Sequence, residues 1–136
     1  MYLLDTNVIS ETRKPRPHGG VLAWLNAAPV TQIFLCAFTL GELQAGAERT
    51  RLQDSVKAGI LDQWIDLLST TWEIIPIDGT IFREWARLMV GKTRDLSEDA
   101  IIAATAKVRG LTVVTRNVHD FRQFPVQVFN PFTTRR

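Results

Sequence analysis

The 136-residue sequence predicts an α/β fold on a mostly parallel sheet of about five strands, and three observations carry that reading. Short apolar or β-branched runs alternate along the chain with longer segments of helical periodicity. The runs are close to continuous in apolar character rather than alternating with polar residues, as in strands covered on both faces. No repeat, low-complexity tract or linker interrupts the pattern, so residues 1–136 are expected to form a single domain.

In order, Tyr2 to Leu4 reads as a short buried strand. A polar turn, Asp5-Thr6-Asn7, follows it, then a loop of proline and charge, Arg13-Lys14-Pro15-Arg16-Pro17. A helix from about Val21 to Ala27 ends before Pro29, and Ile33 to Cys36 forms the second strand. Thr39 starts a helix to about Arg51, with Leu40, Leu43 and Ala47 on one stripe. From Asp54 onward Val56, Ile60, Trp64, Leu67 and Leu68 recur at helical spacing and are expected to face inward. Glu73 to Ile77 is the third strand, and Pro76 places it at a sheet edge. Thr80 to Val90 is amphipathic, with Ile81, Phe82, Trp85, Leu88 and Met89 inward. Ser97 is expected to cap a helix that runs to Arg109, and Gly110 to terminate it. Leu111 to Thr115 and Val126 to Phe129 complete the sheet.

Composition excludes several classes. A hydrophobic fraction of 46% with 22% charged residues belongs to a folded domain rather than a disordered chain. No apolar run approaches the roughly 18 residues that cross a bilayer. The chain opens directly on a buried strand rather than a secretory signal, so a cytoplasmic protein is expected. The single cysteine, Cys36, excludes an internal disulfide and a cysteine zinc site, and reads as a small apolar core residue. Net charge is only +2, but the cations are unevenly placed. Arg13, Lys14 and Arg16 follow the first strand, Lys92 and Arg94 precede Asp99, and Arg116 and Arg122 bracket Asp120. Such cations form a solvated face in most proteins; beside an acidic site they also suit a polyphosphate ligand.

Four acids are the candidate functional residues: Asp5, Glu42, Asp99 and Asp120. In an open parallel sheet, sites form beyond the carboxyl ends of the strands. Asp5 ends the first strand. Glu42 lies in the first turn of the helix after the second strand. Asp99 opens the helix that returns to the fourth strand, and Asp120 lies in the loop after that strand. All four therefore fall on one rim. Neighbouring carboxylates stay ionised together only with a compensating cation, so their convergence implies bound metal or raised pKa values. Oxygen donors of this kind suit Mg²⁺, and Mn²⁺ accepts the same set.

Each acid has a plainer reading. Asp5 could cap a short turn or helix, Glu42 could close a capping box with Thr39, Asp99 could complement a helix dipole, and Asp120 could be a surface turn residue. Capping does not require the four to coincide, and their common rim therefore favours a site.

Four segments carry a family resemblance. Leu3-Leu4-Asp5-Thr6-Asn7-Val8-Ile9-Ser10, Thr39-Leu40-Gly41-Glu42-Leu43, Asp99-Ala100-Ile101-Ile102-Ala103-Ala104-Thr105-Ala106 and Thr115-Arg116-Asn117-Val118-His119-Asp120-Phe121 resemble the motifs of PIN-domain ribonucleases. The likeness extends to the VapC-type toxins of toxin–antitoxin pairs, including the FitB-like group, and Val128-Phe129-Asn130-Pro131-Phe132 resembles their closing strand and tail. The resemblance implies a PIN-like three-layer α/β/α fold. It implies that Asp5 and Asp99 are metal ligands, that Glu42 completes the acidic site, and that Thr6, Asn7, Thr115 and Asn117 line it. Some relatives carry Asp where this chain has Asn117, so either Asn117 or Asp120 fills the fourth position. Glu98 stands where a small apolar residue is common, and reads as an added acid or a helix-start residue.

The activity implied is Mg²⁺- or Mn²⁺-dependent hydrolysis of RNA, with tRNA or another structured RNA as substrate. Arg13, Lys14, Arg16, Arg94 and Arg116 are the expected phosphate contacts. The implied partners are a cognate antitoxin and a second copy of the chain, in a homodimer and a toxin–antitoxin hetero-oligomer. His18 and His119 are weak candidates for a general acid. One rival is a receiver-like Mg²⁺-binding phospho-acceptor domain, which needs a lysine after its last strand; no lysine follows Arg109. Another is a PIN nuclease of RNA maturation without an antitoxin, which would be expected to carry a larger chain or an inserted clamp.

Overall fold

Neighbouring residues of each strand point to opposite faces of the sheet, and a separate core grows on each face. The computed structural model describes residues 1–133. Its strands are β1 (Tyr2–Leu4), β2 (Ile33–Cys36), β3 (Glu73–Ile75), β4 (Thr112–Val114) and β5 (Val128–Phe129). The helices are α1 (Thr6–Glu11), α2 (Gly19–Ala27), α3 (Ala37–Arg51), α4 (Ser55–Thr71), α5 (Gly79–Leu88), α6 (Ser97–Arg109) and α7 (Val118–Phe121). Leu3, Cys36, Ile75 and Val113 pack with Ile81 of α5, the Ala100–Ala104 stretch of α6 and Phe121 of α7. Leu4, Leu35 and Val114 pack on the other face with Val8 and Ile9 of α1, Val21 of α2 and Leu68 of α4. This two-sided burial explains why the strands read as unbroken apolar runs.

The five strands lie in the order β3-β2-β1-β4-β5, and every pairing is parallel. The chain builds outward from β1 through β2 to β3, then returns to the other side of β1 for β4 and β5. The reversal falls between β1 and β4, where Leu4 pairs with Val114. It opens a crevice beyond the carboxyl ends of those two strands.

β3 is at an edge, as Pro76 indicates, and Pro76 lies just beyond it. Gly110 ends α6 in the left-handed conformation at φ 68°, where a side chain is strained. Elsewhere the expected elements are displaced. Thr6 to Glu11 is helical rather than a turn leading into a loop, because the Asp5 carboxylate accepts from the Thr6 N–H and caps it. The helix at Val21 begins earlier, at Gly19, because Nδ1 of His18 accepts from the N–H groups of Gly20 and Val21. α3 begins at Ala37 with Cys36 as its cap residue, so Thr39 is internal and does not cap. Ser97 likewise does not cap α6: a 3₁₀ turn over Arg94–Leu96 leads into it, and Ser97 is its first residue.

Side-chain burial corrects the reading of α4 and α5. Val56, Ile60 and Leu67 are 74%, 51% and 61% exposed, and Phe82 is 52% exposed. α4 carries two apolar stripes, and Ala58, Ile65 and Leu68 form the one that is buried. Periodicity locates an apolar stripe; the position of the neighbouring helix decides which stripe is covered.

Candidate active site

The loop ends of β1 and β4 are tied together before any acid is considered. The Asp5 N–H donates to the carbonyl of Val114 at 2.9 Å, which seats Asp5 beside Thr115. Thr115 is fully buried, and its hydroxyl donates to Asp5 Oδ2 at 2.8 Å. Asn7 spans the same gap. Its Nδ2 lies 3.2 Å from both Asp5 Oδ2 and Thr115 Oγ1, and its Oδ1 accepts from the Arg116 N–H at 3.1 Å. Asp5 is thus oriented by groups from both central strands, and only 8% of it reaches solvent.

Glu42 enters from the β2 side. It stands in the second turn of α3, not the first, because α3 starts at Ala37. Its Oε1 accepts from the Thr6 hydroxyl at 2.7 Å. The Thr39–Glu42 capping box does not form: Thr39 is fully buried with its hydroxyl unpartnered among the described residues. Asp99 and Asp120 enter from the β4 side. The Asn117 amide donates to Asp99 Oδ2 at 2.9 Å and to Asp120 Oδ2 at 3.0 Å, and so joins the start of α6 to α7. Asp120 lies within the one-turn helix α7, where a loop was expected. Asn117 and Asp120 therefore share the fourth corner, with Asn117 the link between two acids.

The carboxylates perturb one another. The Asp99 carboxyl is pushed up to about 7, first by burial and then by the charges of Asp5, Asp120 and Glu98. Glu42 is also pushed up to about 7, by burial and by the Glu98 carboxyl and the charge of Asp5, against the Thr6 hydrogen bond. Burial raises Asp5 as well; the donors Thr115, Thr6 and Asn7 offset part of that rise. Glu98 thus acts on three of the acids from the exposed first turn of α6. The cluster carries more negative charge than its surroundings offset, which is the electrostatic condition for cation uptake.

The donors are all hard oxygens, and the charge of Asp5 is the first of those that raise the Asp99 carboxyl. Among the described residues no group of three His, Cys, Asp or Glu side chains forms a ready cage for an ion. Several carboxylate oxygens instead accept from the neighbouring hydroxyls and amides. Mg²⁺ commonly binds through one or two carboxylates and keeps several waters, so this donor set fits it without a closed cage.

The expected cations divide into committed and uncommitted groups. Lys14 pairs with Glu11 at 3.0 Å. Glu11 is buried and also accepts from the His18 N–H at 2.8 Å, a structural role that sequence reading missed although the i,i+3 spacing to Lys14 signals it. Arg116 lies over the Phe132 ring at 3.9 Å, and Arg13 over Trp64 at 5.1 Å. Arg16 and Arg94 are exposed, in the loop before α2 and in the turn before α6. His18 is occupied as a helix cap and His119 is exposed on α7, so neither enters the acid network. Asp78, beside the edge strand, caps α5 by accepting from the Ile81 N–H.

Fold and site define a doubly wound parallel α/β protein with a carboxylate-rich rim at its switch point. The chain belongs to the PIN-domain family, whose model matches residues 2–126. It is 36% identical over 139 residues to Toxin FitB of Neisseria gonorrhoeae, covering 97% of this chain and 99% of that one. It is 34% identical over 143 residues to VapC ribonuclease Y4jK of Sinorhizobium fredii, covering 97% and 98%. The crystal structure of FitAcB from Neisseria gonorrhoeae superposes with a TM-score of 0.87 at 34% identity, over 98% of this chain and 100% of that one. A toxin–antitoxin complex from Klebsiella pneumoniae superposes at 0.73 with 28% identity, over 96% and 98%.

Proposed function

We propose that this chain is a divalent-metal-dependent endoribonuclease and the toxin of a toxin–antitoxin pair, acting as one domain over residues 1–136. The observation that carries the reading is the meeting of Asp5, Glu42, Asp99 and Asp120 at the β1/β4 switch point, with Glu42 and Asp99 both raised to about 7. Relatives named as a toxin and as a ribonuclease, matched over nearly their whole length, support it.

Asp5 and Asp99 would hold Mg²⁺ or Mn²⁺, with Thr115 and Asn7 orienting Asp5 and Asn117 orienting Asp99. When bound, the ion supplies acidification of a water and neutralisation of charge on the phosphate in flight. Glu42, held by Thr6, and Asp120, held by Asn117, stand to either side as proton acceptors and water-positioning groups. The Glu42 carboxyl, pushed up to about 7, suits a base working near neutral pH.

The substrate in this reading is a structured RNA such as tRNA, and the partners are a cognate antitoxin and a second copy of the chain. The proposed site of action is the cytoplasm; separately, no helix among the described residues is long and apolar enough to cross a membrane. The test is cleavage of end-labelled RNA by purified protein with Mg²⁺, Mn²⁺ or EDTA, beside Asp5→Asn and Asp99→Asn. Loss of cleavage in EDTA and in both variants is expected. Full activity in both folded variants would overturn the site assignment, and co-expression with the product of an adjacent small gene tests the antitoxin separately.

A further inference from the structure

We infer that the groove between α1, α3 and α4 holds the RNA strand on one side of the bond that is cut, with Trp64 as a stacking platform and Arg13 and Lys57 on its phosphates. The inference rests on the ribonuclease reading and adds a substrate path to it. The groove encloses about 420 Å³ and is lined in part by Thr6 and Glu42, the pair joined by the 2.7 Å hydrogen bond in the acid site. Trp64 and Lys57 of α4 and Arg13, just after α1, line the same groove. A phosphodiester seated among the acids needs an exit for its flanking nucleotides, and this groove is continuous with the acids.

Charge separates this exit from another cleft among the described residues. A second cleft also reaches the acids, at Glu98, but the rest of its wall is Phe38, Ile77, Phe82, Trp85, Ser97 and Ile101, with no cation. In the α1/α3/α4 groove, Arg13 and Lys57 make no ion pair among the described residues, whereas Lys14 and Arg51 are bound to carboxylates. Trp64 is packed against the core and Arg13 lies over its indole at 5.1 Å, so a base would stack on this Arg13–Trp64 pair from the exposed Arg13 side. Two uncommitted cations and an aromatic platform match an anionic polymer with planar bases.

The groove lining offers a position for a plug. Gly46 is part of it, and a β-carbon there would meet only the Arg49 guanidinium at 3.8 Å, an ordinary contact. Gly46→Leu would therefore add a side chain to the groove wall, one turn after Glu42 on the same face of α3.

The experiment measures binding of a fluorescein-labelled single-stranded RNA, across a salt series, to Asp99→Asn protein so that cleavage does not interfere. Trp64→Leu is expected to weaken binding about 5- to 150-fold, the range for loss of one stacked base, while Trp64→Phe retains most of it. Arg13→Ala and Lys57→Ala should each reduce the log–log salt slope by about 0.7. Gly46→Leu should weaken binding while its circular dichroism stays unchanged; if it does not fold, Lys57→Ala on the exposed surface carries the test. Unchanged affinity and slope in Trp64→Leu and Lys57→Ala would overturn the inference and leave the nuclease reading standing. Loss of the antitoxin complex in those variants with RNA affinity intact would also overturn it, and would assign the groove to a protein segment. A wild-type chain that neither binds nor cuts RNA would overturn both.

Discussion

The hydroxyl of Thr6 donates to Glu42 at 2.7 Å, across 36 positions of sequence, and joins the first turn after β1 to the second turn after β2. This contact distinguishes a site residue from a helix cap, because Glu42 is held by the rim and not by Thr39. Thr6→Val keeps the shape and removes the donor. Glu42 would then lose the one hydrogen bond that favours its charged form, at a cost of about 1 kcal/mol in stability at pH 8. RNA cleavage should fall about tenfold, with most of the loss restored in Thr6→Ser; retention of full kcat in Thr6→Val would show that Glu42 needs no anchor.

Asn117 links two acids without adding a charge. Asn117→Ala leaves Asp99 and Asp120 without their shared donor, and should weaken divalent-ion affinity about 10- to 100-fold, as loss of such orienting groups does elsewhere. Asn117→Asp should lower the melting temperature of the metal-free protein and steepen its rise on adding Mn²⁺. Titration calorimetry with Mn²⁺ and melts with and without the ion measure both.

The raised acids give the metal-free protein a definite pH dependence. Between the ordinary carboxylate range and about 7, Glu42 and Asp99 hold protons in the folded chain that the unfolded chain has released. Stability from these groups therefore falls as pH rises through that window and levels off above it. The lowered acids Glu11, Glu48, Asp62 and Glu84 act with the opposite sign, but only in more acidic solution. Melting in EDTA is expected to occur a few degrees higher at pH 5.5 than at pH 8, on the order of 1 kcal/mol. Asp99→Asn should flatten the difference, and a melt that rises steadily from pH 5.5 to 8 would contradict the clustering.

Gly110 tests the fold away from the site. Its φ of 68° admits glycine readily, and a β-carbon there would meet nothing within 4 Å. Gly110→Ala should therefore cost about 1 kcal/mol through backbone strain alone, and Gly110→Asn less. Urea denaturation with an unchanged m-value would report that loss, and RNA cleavage by the folded protein should be unaffected.

Much of the architecture was legible because it depends on local chemistry. Continuous apolar runs such as Leu3-Leu4 and Val113-Val114 announce strands buried on two faces, and Pro76 marks the edge. The errors came where a distant partner decides. Thr39 has the spacing of a capping box, but β2 runs directly into α3 at Ala37 and buries it. Asp5 reads from its neighbours as a cap, and it does cap α1, yet its carboxylate also accepts from Thr115, 110 positions away.

By itself the sequence determined the alternation of strands and helices, and from that the placement of four acids on one rim, since parallel strands all end on the same side. Only the tertiary structure decided which groups hold each acid, that Asn117 bridges Asp99 and Asp120, and that Val56 and Ile60 face solvent while Ala58 and Ile65 do not. The reason is range. Strand and helix propensity act over a few residues, whereas hydrogen-bond partners, burial and the mutual repulsion of carboxylates depend on distances that only the packed chain sets.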